Sequence, residues 1–225
     1  MLIICSIISR ILYLSYPIGY FGDADESVFG LMALEIMEFK SFPIYCWEAH
    51  YAGAFVSYLA AIIFYFFGPG FVQLRLPMLL MFIISIPLFF IIYKKTLNDL
   101  YSAATSTLII IFCPFIVLYY TMGAFGGYGE TYLGSSIIMI MSIYICENAN
   151  SSNKISYLFM MIFGLCCGLF FYILPLALPV ILAFAFPALY FYKSTNQDKK
   201  STLFFCSGGL IGLLPVMIYI ITQCR

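Results

Sequence analysis

Long apolar stretches, separated by short polar breaks, constrain the fold of this chain more than any other feature of its sequence. Eight of them occupy residues 1–16, 51–67, 71–93, 102–122, 131–146, 155–171, 174–192 and 202–222. A helix needs about 20 apolar residues to cross a hydrocarbon core about 30 Å thick, and most of the stretches approach that length. Because backbone groups in lipid must bond within their own segment, we expect these stretches to be helices.

The composition excludes an ordinary water-soluble domain. Hydrophobic residues make up 64% of the 225 residues and charged residues 9%, against about a quarter charged in a typical soluble domain. Zero net charge gives no reason to expect a nucleic-acid partner. The eight cysteines lie mostly in apolar stretches without a Cys-x-x-Cys pair, so we expect them to pack. The first stretch lacks a cleavage pattern and is predicted to be a retained helix.

Lysines near the ends of the stretches orient the predicted spans, because loops rich in basic residues face the cytoplasm. They mark three breaks, at residues 94–101, 147–154 and 193–201, each separated from the next by two stretches. With a cytoplasmic N-terminus, stretch 51–67 must then lie along the outer leaflet without crossing. We therefore predict an all-α integral membrane protein with seven transmembrane helices and juxtamembrane helices in an external loop, 19–70. In the alternative, residues 51–67 do cross the membrane, and either the lysine-containing breaks or the N-terminus would then be external.

Acidic residues gather in the first predicted external loop. Asp23, Asp25 and Glu26 lie within four residues, where they repel one another and lose hydration beside the membrane. Such a cluster suits a general base or a cation site. Alternatively, Asp25 simply caps the helix that follows. Residues 27–39 have apolar and acidic positions on opposite sides, which predicts an amphipathic helix lying in the interface.

The second predicted external segment, residues 122–130, contains four glycines and ends at Glu130. Glycine permits close backbone approach and unusual dihedral angles. A glutamate at a helix start is also stabilised by the helix dipole, so Glu130 is either a cap or a site residue. Arg75, at the start of another predicted helix, could extend to lipid headgroups. His50 is the only histidine, which makes a histidine metal site a poor prediction.

Several short motifs resemble those of the GT-C glycosyltransferases. Residues 25–37 (DESVFGLMALEIM) are similar to the Asp-Glu motif and following helix of that superfamily. Further matches follow in the family's order at YCWE 45–48 with Gly53, FG 67–68, RLP 75–77, GGYGE 126–130 and LPLALP 174–179. The resemblance is greatest to the protein O-mannosyltransferase, lipid A aminoarabinose transferase and bacterial RgtA/B/C/D-like group. Each motif alone is weak, but six in order form a fairly specific pattern.

The resemblance implies a GT-C-like N-terminal module, with residues 1–225 as a single transmembrane unit and the family's C-terminal part absent. It also implies a glycosyltransferase, mannosyltransferase-like, that uses a polyprenyl-phosphate sugar as donor. The acceptor would be a lipid, glycan or protein at the outer face of the inner or plasma membrane. One alternative is an inactive fragment that acts in binding or assembly. Another is a transporter or flippase subunit, although the predicted spans hold almost no ionisable residue beyond Arg10.

The resemblance also implies roles for individual residues. By motif position, Asp25 would be the catalytic base that deprotonates the acceptor hydroxyl, and Glu26 would orient or hydrogen-bond the substrate. Substrate binding is expected at Glu48, Glu130, Arg75, Lys40 and His50. The last three are the candidates for the positive partner that the leaving phosphate needs. No metal or other cofactor is predicted, although Asp23, Asp25 and Glu130 could gather a divalent cation.

Overall fold

A computed structural model of the protein describes residues 2–15, 23–151, 154–196 and 199–223; residues 19–22 of the predicted external loop lie outside them. These residues form helices joined by short connections. The sole extended pairing described is an isolated antiparallel bridge between Tyr45 and Gly53. The all-α prediction is therefore confirmed for this part of the chain. The chain divides into two compact units, Met1–Leu133 and Gly134–Arg225, which are considered in turn and called unit 1 and unit 2.

Six helices and the start of a seventh make up the described part of unit 1. They are α1 Leu2–Ser15, α2 Ala24–Met37, α3 Phe55–Phe67, α4 Phe71–Leu97, α5 Leu100–Ile111, α6 Phe115–Met122 and α7 Tyr128–Asn150. Unit 2 holds the rest of α7 and four further helices. These are α8 Tyr157–Ile173, an irregular α9 Pro175–Thr195 that contains a π-helical turn, α10 Lys199–Gly212 and α11 Leu214–Gln223.

Helix length and composition give fewer spans than the sequence predicted. Among the described residues, α4, α7 and α9 are long and apolar enough to cross a membrane. Two more spans result if each bent pair counts as one: α5 with α6, bent by 74°, and α10 with α11, bent by 47°. The apolar helices α1, α3 and α8 are shorter, at 14, 13 and 17 residues. By length and composition, the described helices thus provide three to five candidate spans, fewer than the seven predicted.

Contacts in unit 1 give the relative direction of its long helices. Leu2, at the start of α1, packs against the cluster that contains Ile86 of α4, whereas Tyr13 clusters with Leu79. Residues later in α1 therefore contact residues earlier in α4, so the two helices are antiparallel. The predicted alternation of crossing directions requires this arrangement of the first helix and the helix at 71–93.

The start of α7 lies beside α4 and runs in the same direction. A Cβ atom added at Gly129 would overlap the sulfur of Met78, so the two backbones are close there. Four residues after Met78, Phe82 stacks with Tyr132 at 5.8 Å between ring centroids, and the Tyr132 ring also lies 5.2 Å from that of Phe89. The starts of α4 and α7 therefore lie at the same end of unit 1.

Two helices of unit 2 pack backbone to backbone through glycine. Gly164 and Gly168 of α8 face Gly208 and Gly212 of α10, and a Cβ atom at Gly164 would overlap the carbonyl oxygen of Phe205. Glycines four residues apart on each helix form the small-residue pattern that brings membrane helices close together. Gly164 lies against Phe205 and Gly209, whereas Gly168, one turn later on α8, lies against Gly209 and Gly212. The two helices are therefore parallel.

Candidate functional site

The acidic motif forms the first turn of α2, which begins three residues before the predicted helix 27–39 and ends at Met37. Asp23 is the N-cap: its Oδ1 accepts a hydrogen bond from the Ala24 N–H at 2.6 Å. The hypothesis that Asp25 caps this helix is therefore wrong. The Tyr119 hydroxyl donates to Oδ2 of Asp23 at 3.2 Å. Asp25 is exposed in the first turn, next to this fixed carboxylate.

Glu26 turns inward and forms a buried ion pair with Arg75. The Nε of Arg75 donates to Oε1 of Glu26 at 2.6 Å, and its Nη2 donates to Oε2 at 2.7 Å. The Ala124 N–H also donates to Oε1, at 3.0 Å. The guanidinium carbon lies 4.1 Å from the ring centroid of Phe71. Both charged side chains are almost inaccessible, with exposed fractions of 0% and 1%.

The geometry of this ion pair is that of a structural contact between distant segments of the chain. Both carboxylate oxygens of Glu26 accept from Arg75, in the paired geometry that makes arginine–carboxylate contacts strong and directional. The pair fixes the first turn of α2 to the start of α4, 49 residues away in sequence. The Ala124 N–H adds the second predicted external segment, 98 residues from Glu26. Asp25 is consequently held on a rigid turn.

Glu130 closes the glycine-rich segment from the other side. It lies at the third position of α7, is fully buried, and its Oε2 accepts from the Gly127 N–H at 3.0 Å. This is the glutamate half of a capping box. Its other oxygen, Oε1, has no hydrogen-bond partner among the described residues. Gly126 has a φ of 68°, and a Cβ atom there would overlap the ring of Phe29, so both backbone and space require glycine.

The remaining predicted binding residues lie on the surface. Glu48 and His50 are exposed within the bridged segment between Tyr45 and Gly53. Lys40 is exposed and its Nζ lies 2.5 Å from Glu38. The structure describes no contact between Glu48 or Lys40 and the Glu26–Arg75 pair. It therefore brings together Glu26 and Arg75, holds Asp25 beside them, and leaves the substrate contacts at Glu48, His50 and Lys40 as predictions.

Aromatic residues pack next to Tyr119, which contacts Asp23, and sequence reasoning missed this group. The ring of Tyr119 lies 4.9 Å from that of Phe125, and the ring of Tyr120 lies 4.9 Å from that of Tyr128. Tyr120 and Tyr128 line a surface cavity of about 230 Å³. Tyrosines close to the end of a predicted span were a usable signal, because tyrosine favours the membrane interface. Aromatic walls with a few polar groups are typical of ligand sites.

The described residues include no group of three or more histidine, cysteine, aspartate or glutamate side chains placed to hold a metal ion. Asp23 is bonded to the Ala24 N–H and to Tyr119, while Glu130 is bonded to Gly127. The alternative in which Asp23, Asp25 and Glu130 gather a divalent cation therefore gains no support.

The helices and this site define an all-α chain with helices of membrane-spanning length and composition, and with buried ionic contacts at the ends of α2 and α4. Comparison with models of protein families, with curated proteins and with solved structures finds no match to this chain. A function must therefore be argued from the motifs and the geometry of the site.

Proposed function

We propose that the chain is a membrane glycosyltransferase module that moves a sugar from a polyprenyl-phosphate donor to an acceptor at the outer face of the membrane. One observation carries the proposal: Glu26, Arg75 and the Ala124 N–H meet in one buried network. Glu26 and Arg75 belong to two separate segments that resemble GT-C motifs, and Ala124 lies two residues before a third, at 126–130. Short motifs scattered by chance would have no physical reason to meet in this way.

Asp25 is the residue that we propose as the catalytic base. Its two acidic neighbours are engaged, Asp23 with Tyr119 and Glu26 with Arg75. The carboxylate of Asp25 is exposed and has no partner among the described residues. Asp25 lies in the first turn of α2, next to the positive end of the helix dipole. A charged, accessible carboxylate on a rigid turn can accept the proton of an attacking hydroxyl.

We further propose the seven-span topology with this site outside. The spans would be α1, α4, α5 with α6, α7, α8, α9, and α10 with α11. Three relative directions support it: α1 is antiparallel to α4, the start of α7 is parallel to α4, and α8 is parallel to α10. Helix α3 has 13 residues and is about 20 Å long at 1.5 Å per residue, and the positions of the lysine-containing breaks require that it does not cross. Helices α1 and α8 are about 21 and 25 Å long, so they would need local thinning.

A second candidate is an inactive module that binds the donor or helps an assembly. The neutralisation of Arg75 by Glu26 favours it, because two residues with expected roles at the substrate are bonded to each other. The positive partner of the donor phosphate would then have to come from Lys40 or His50. Both of these side chains are exposed.

Transfer of radiolabelled sugar from a polyprenyl-phosphate donor in membranes tests the proposal. Asp25→Asn keeps the shape of the side chain but removes the proton acceptor, so we expect a rate loss of about 100- to 10,000-fold. Asp23→Asn is the matched control: asparagine is also a good N-cap, so α2 should persist and the loss should be small. Wild-type rates in Asp25→Asn would remove Asp25 from the mechanism. Donor binding without transfer by the wild type would favour the inactive module.

A further inference from the structure

Arg10 is a buried cation in the middle of α1 that the proposed function does not use. Its side chain has an exposed fraction of 0%. Its guanidinium carbon lies 3.7 Å from the ring centroid of Phe82, and its Nη2 contacts the sulfur of Cys113 at 3.6 Å. The other two nitrogens, Nε and Nη1, have no hydrogen-bond partner among the described residues. A weak contact to sulfur is thus the single polar contact that these residues offer it.

Comparison with Arg75 identifies what Arg10 lacks. Each guanidinium lies against a phenylalanine ring, Phe71 for Arg75 and Phe82 for Arg10. Arg75 has Glu26 as its counter-charge, whereas the described residues supply no carboxylate to Arg10. Arginine stays protonated in proteins, and an unpaired charge buried at membrane depth is costly. A buried guanidinium with this surrounding would be stabilised by an anion.

The depth of Arg10 makes this unusual. Phe82 lies 11 residues into α4, about 16 Å from the start of that helix. It is also the midpoint of the apolar stretch 71–93. A guanidinium at that level lies near the middle of the hydrocarbon core if α4 crosses the membrane. Ionisable residues at this depth mark binding sites or pathways by default.

Ser6 adds a donor on the same face of α1. Residues four apart on a helix are neighbours, so Ser6 lies one turn from Arg10. Ser6 is fully buried, and its hydroxyl oxygen has no partner among the described residues. Two adjacent side chains on one helix face therefore present unused hydrogen-bond donors to the interior.

A break in the neighbouring span lies beside these donors. Cys113, which contacts Arg10, lies between the end of α5 at Ile111 and the start of α6 at Phe115. Pro114 is the N-cap of α6 and provides no side-chain hydrogen bond to its first turn. The positive end of the α6 dipole is therefore directed towards the break. Interrupted helices place binding sites near the bilayer midplane in other membrane proteins.

We propose that Arg10 and Ser6, beside the break between α5 and α6, bind a phosphate-type oxyanion. The site presents the unpartnered Nε and Nη1 donors of the Arg10 guanidinium and the unpartnered hydroxyl of Ser6, one helical turn earlier on α1. Donors in several directions suit a tetrahedral group with three or more oxygens better than a planar carboxylate. A halide would gain little from the planar fork. The proposal does not depend on sugar transfer, and the oxyanion could be free phosphate or a lipid phosphate.

Equilibrium dialysis of the purified full chain in phosphatidylcholine nanodiscs, with labelled inorganic phosphate at constant ionic strength, tests the site. We expect Arg10→Met to weaken phosphate binding roughly 10- to 100-fold, as the loss of charge-assisted hydrogen bonds predicts. Arg10→Lys keeps the charge without the fork and should fall between Arg10→Met and the wild type. Ser6→Ala should weaken binding about three- to tenfold. Ser9→Ala, whose hydroxyl bonds the Ser6 carbonyl oxygen at 2.9 Å, is the control and should bind normally.

A second arm identifies the source of the phosphate. Nanodiscs that contain phosphatidic acid should abolish binding of free phosphate if a lipid occupies the site, and the lipid should co-purify with wild type but not with Arg10→Met. If free phosphate binds equally well in both nanodiscs, the ligand is the soluble ion. Absence of both forms of binding in the wild type would overturn the proposal. So would wild-type binding by Arg10→Met or, if that variant does not fold, equal binding by Ser6→Ala and Ser9→Ala.

Discussion

The interiors of the two units are stabilised by different kinds of contact. Among the described residues, the buried charged side chains are Arg10, Glu26, Arg75 and Glu130, and all four belong to unit 1. No buried charged side chain is described in unit 2, where the buried polar groups are hydroxyls, as in Ser136, Ser142 and Tyr192. Unit 2 instead relies on the close backbone approach of α8 and α10 at four glycines.

The difference follows from the physics of helices in lipid. Lipid tails are as apolar as leucine, so apolar side chains alone do not drive helix association. Close approach at small residues, as in unit 2, gains van der Waals contact without any polar group. Buried ion pairs, as in unit 1, are a poor source of stability by comparison and are retained for other reasons. The proposed site therefore lies in the unit whose described interior contains buried charged side chains. Unit 1 should be sensitive to changes of charge, and unit 2 to changes of volume.

Removal of one partner of the buried ion pair should have the largest effect. Glu26→Gln leaves the Arg75 guanidinium buried without a counter-charge, which typically costs about 3–5 kcal/mol. Unfolding of the purified protein in mixed micelles would measure the loss. Glu38→Gln is the matched control, because its contact with Lys40 is exposed, and it should leave stability unchanged.

A double variant sharpens this test. Replacement of both partners, as in Glu26→Leu with Arg75→Met, removes the two charges together, so it should be less destabilised than Glu26→Gln alone. If Glu26→Gln and Glu38→Gln were equally stable, the ion pair would not be a main contact of unit 1. The comparison between the units would then fail.

In unit 2, one added methyl group should be enough to separate α8 and α10. A Cβ atom at Gly208 would overlap the carbonyl oxygen of Met161, so Gly208→Ala forces two backbones apart. Overpacking of this kind costs about 1–3 kcal/mol. Gly209→Ala is the matched control, because its Cβ atom would lie 3.7 Å from the nearest atom, the carbonyl oxygen of Gly164. The same unfolding measurement applies, and equal stability of the two variants would contradict the glycine contact.

These contacts differ in how far the sequence could predict them. The all-α fold follows from the apolar stretches, because lipid leaves the backbone few alternatives. The glycine pairs are visible as GLCCG at 164–168 and GGLIG at 208–212, a spacing that is a known signal of close helix packing in membranes. The ion pair between Glu26 and Arg75 could not be predicted from the sequence, although each residue was predicted separately as a site residue. Their partnership depends on the packing of α2 against α4, which no local pattern encodes.

The positions of helix breaks are a second feature that the sequence alone does not predict. Stretch 102–122 was predicted as one helix, but it bends by 74° just before Pro114. Proline lacks an N–H and disfavours helical geometry in the residue before it, which accounts for the break. Yet Pro77 and Pro87 lie inside α4 without ending it. The same residue type gives opposite outcomes, so tertiary packing decides which proline interrupts a span.

A smaller effect is expected at a hydrogen bond that joins two helices of unit 1. The buried Ser57 hydroxyl of α3 donates to the carbonyl oxygen of Phe29 in α2 at 2.9 Å. Ser57→Ala should cost about 0.5–1.5 kcal/mol in the unfolding assay, the usual value of one internal hydrogen bond. Ser85→Ala is the matched control, since the Ser85 hydroxyl bonds the Met81 carbonyl oxygen within its own helix. A larger loss in Ser85→Ala than in Ser57→Ala would mean that bonds between helices are not what unit 1 relies on.

The smallest expected effect depends on pH and comes from an exposed cap rather than from a buried pair. Asp99 is the N-cap of α5, and its Oδ2 accepts from the Ser102 N–H at 2.7 Å. Hydrogen bonds from Ser102 lower the pKa of Asp99 below its ordinary value. Because the folded-state pKa is the lower one, the stabilisation is complete above the unfolded pKa of about 4 and is lost as the pH falls through the folded value.

Asp99→Asn keeps a good cap that does not titrate. The melting temperature of wild type minus that of Asp99→Asn should therefore be constant from pH 7 to about 5 and decrease below about pH 4. A difference that stayed constant down to pH 3 would show that the charge of Asp99 contributes nothing. Ionic stabilisation in unit 1 would then be confined to its buried residues.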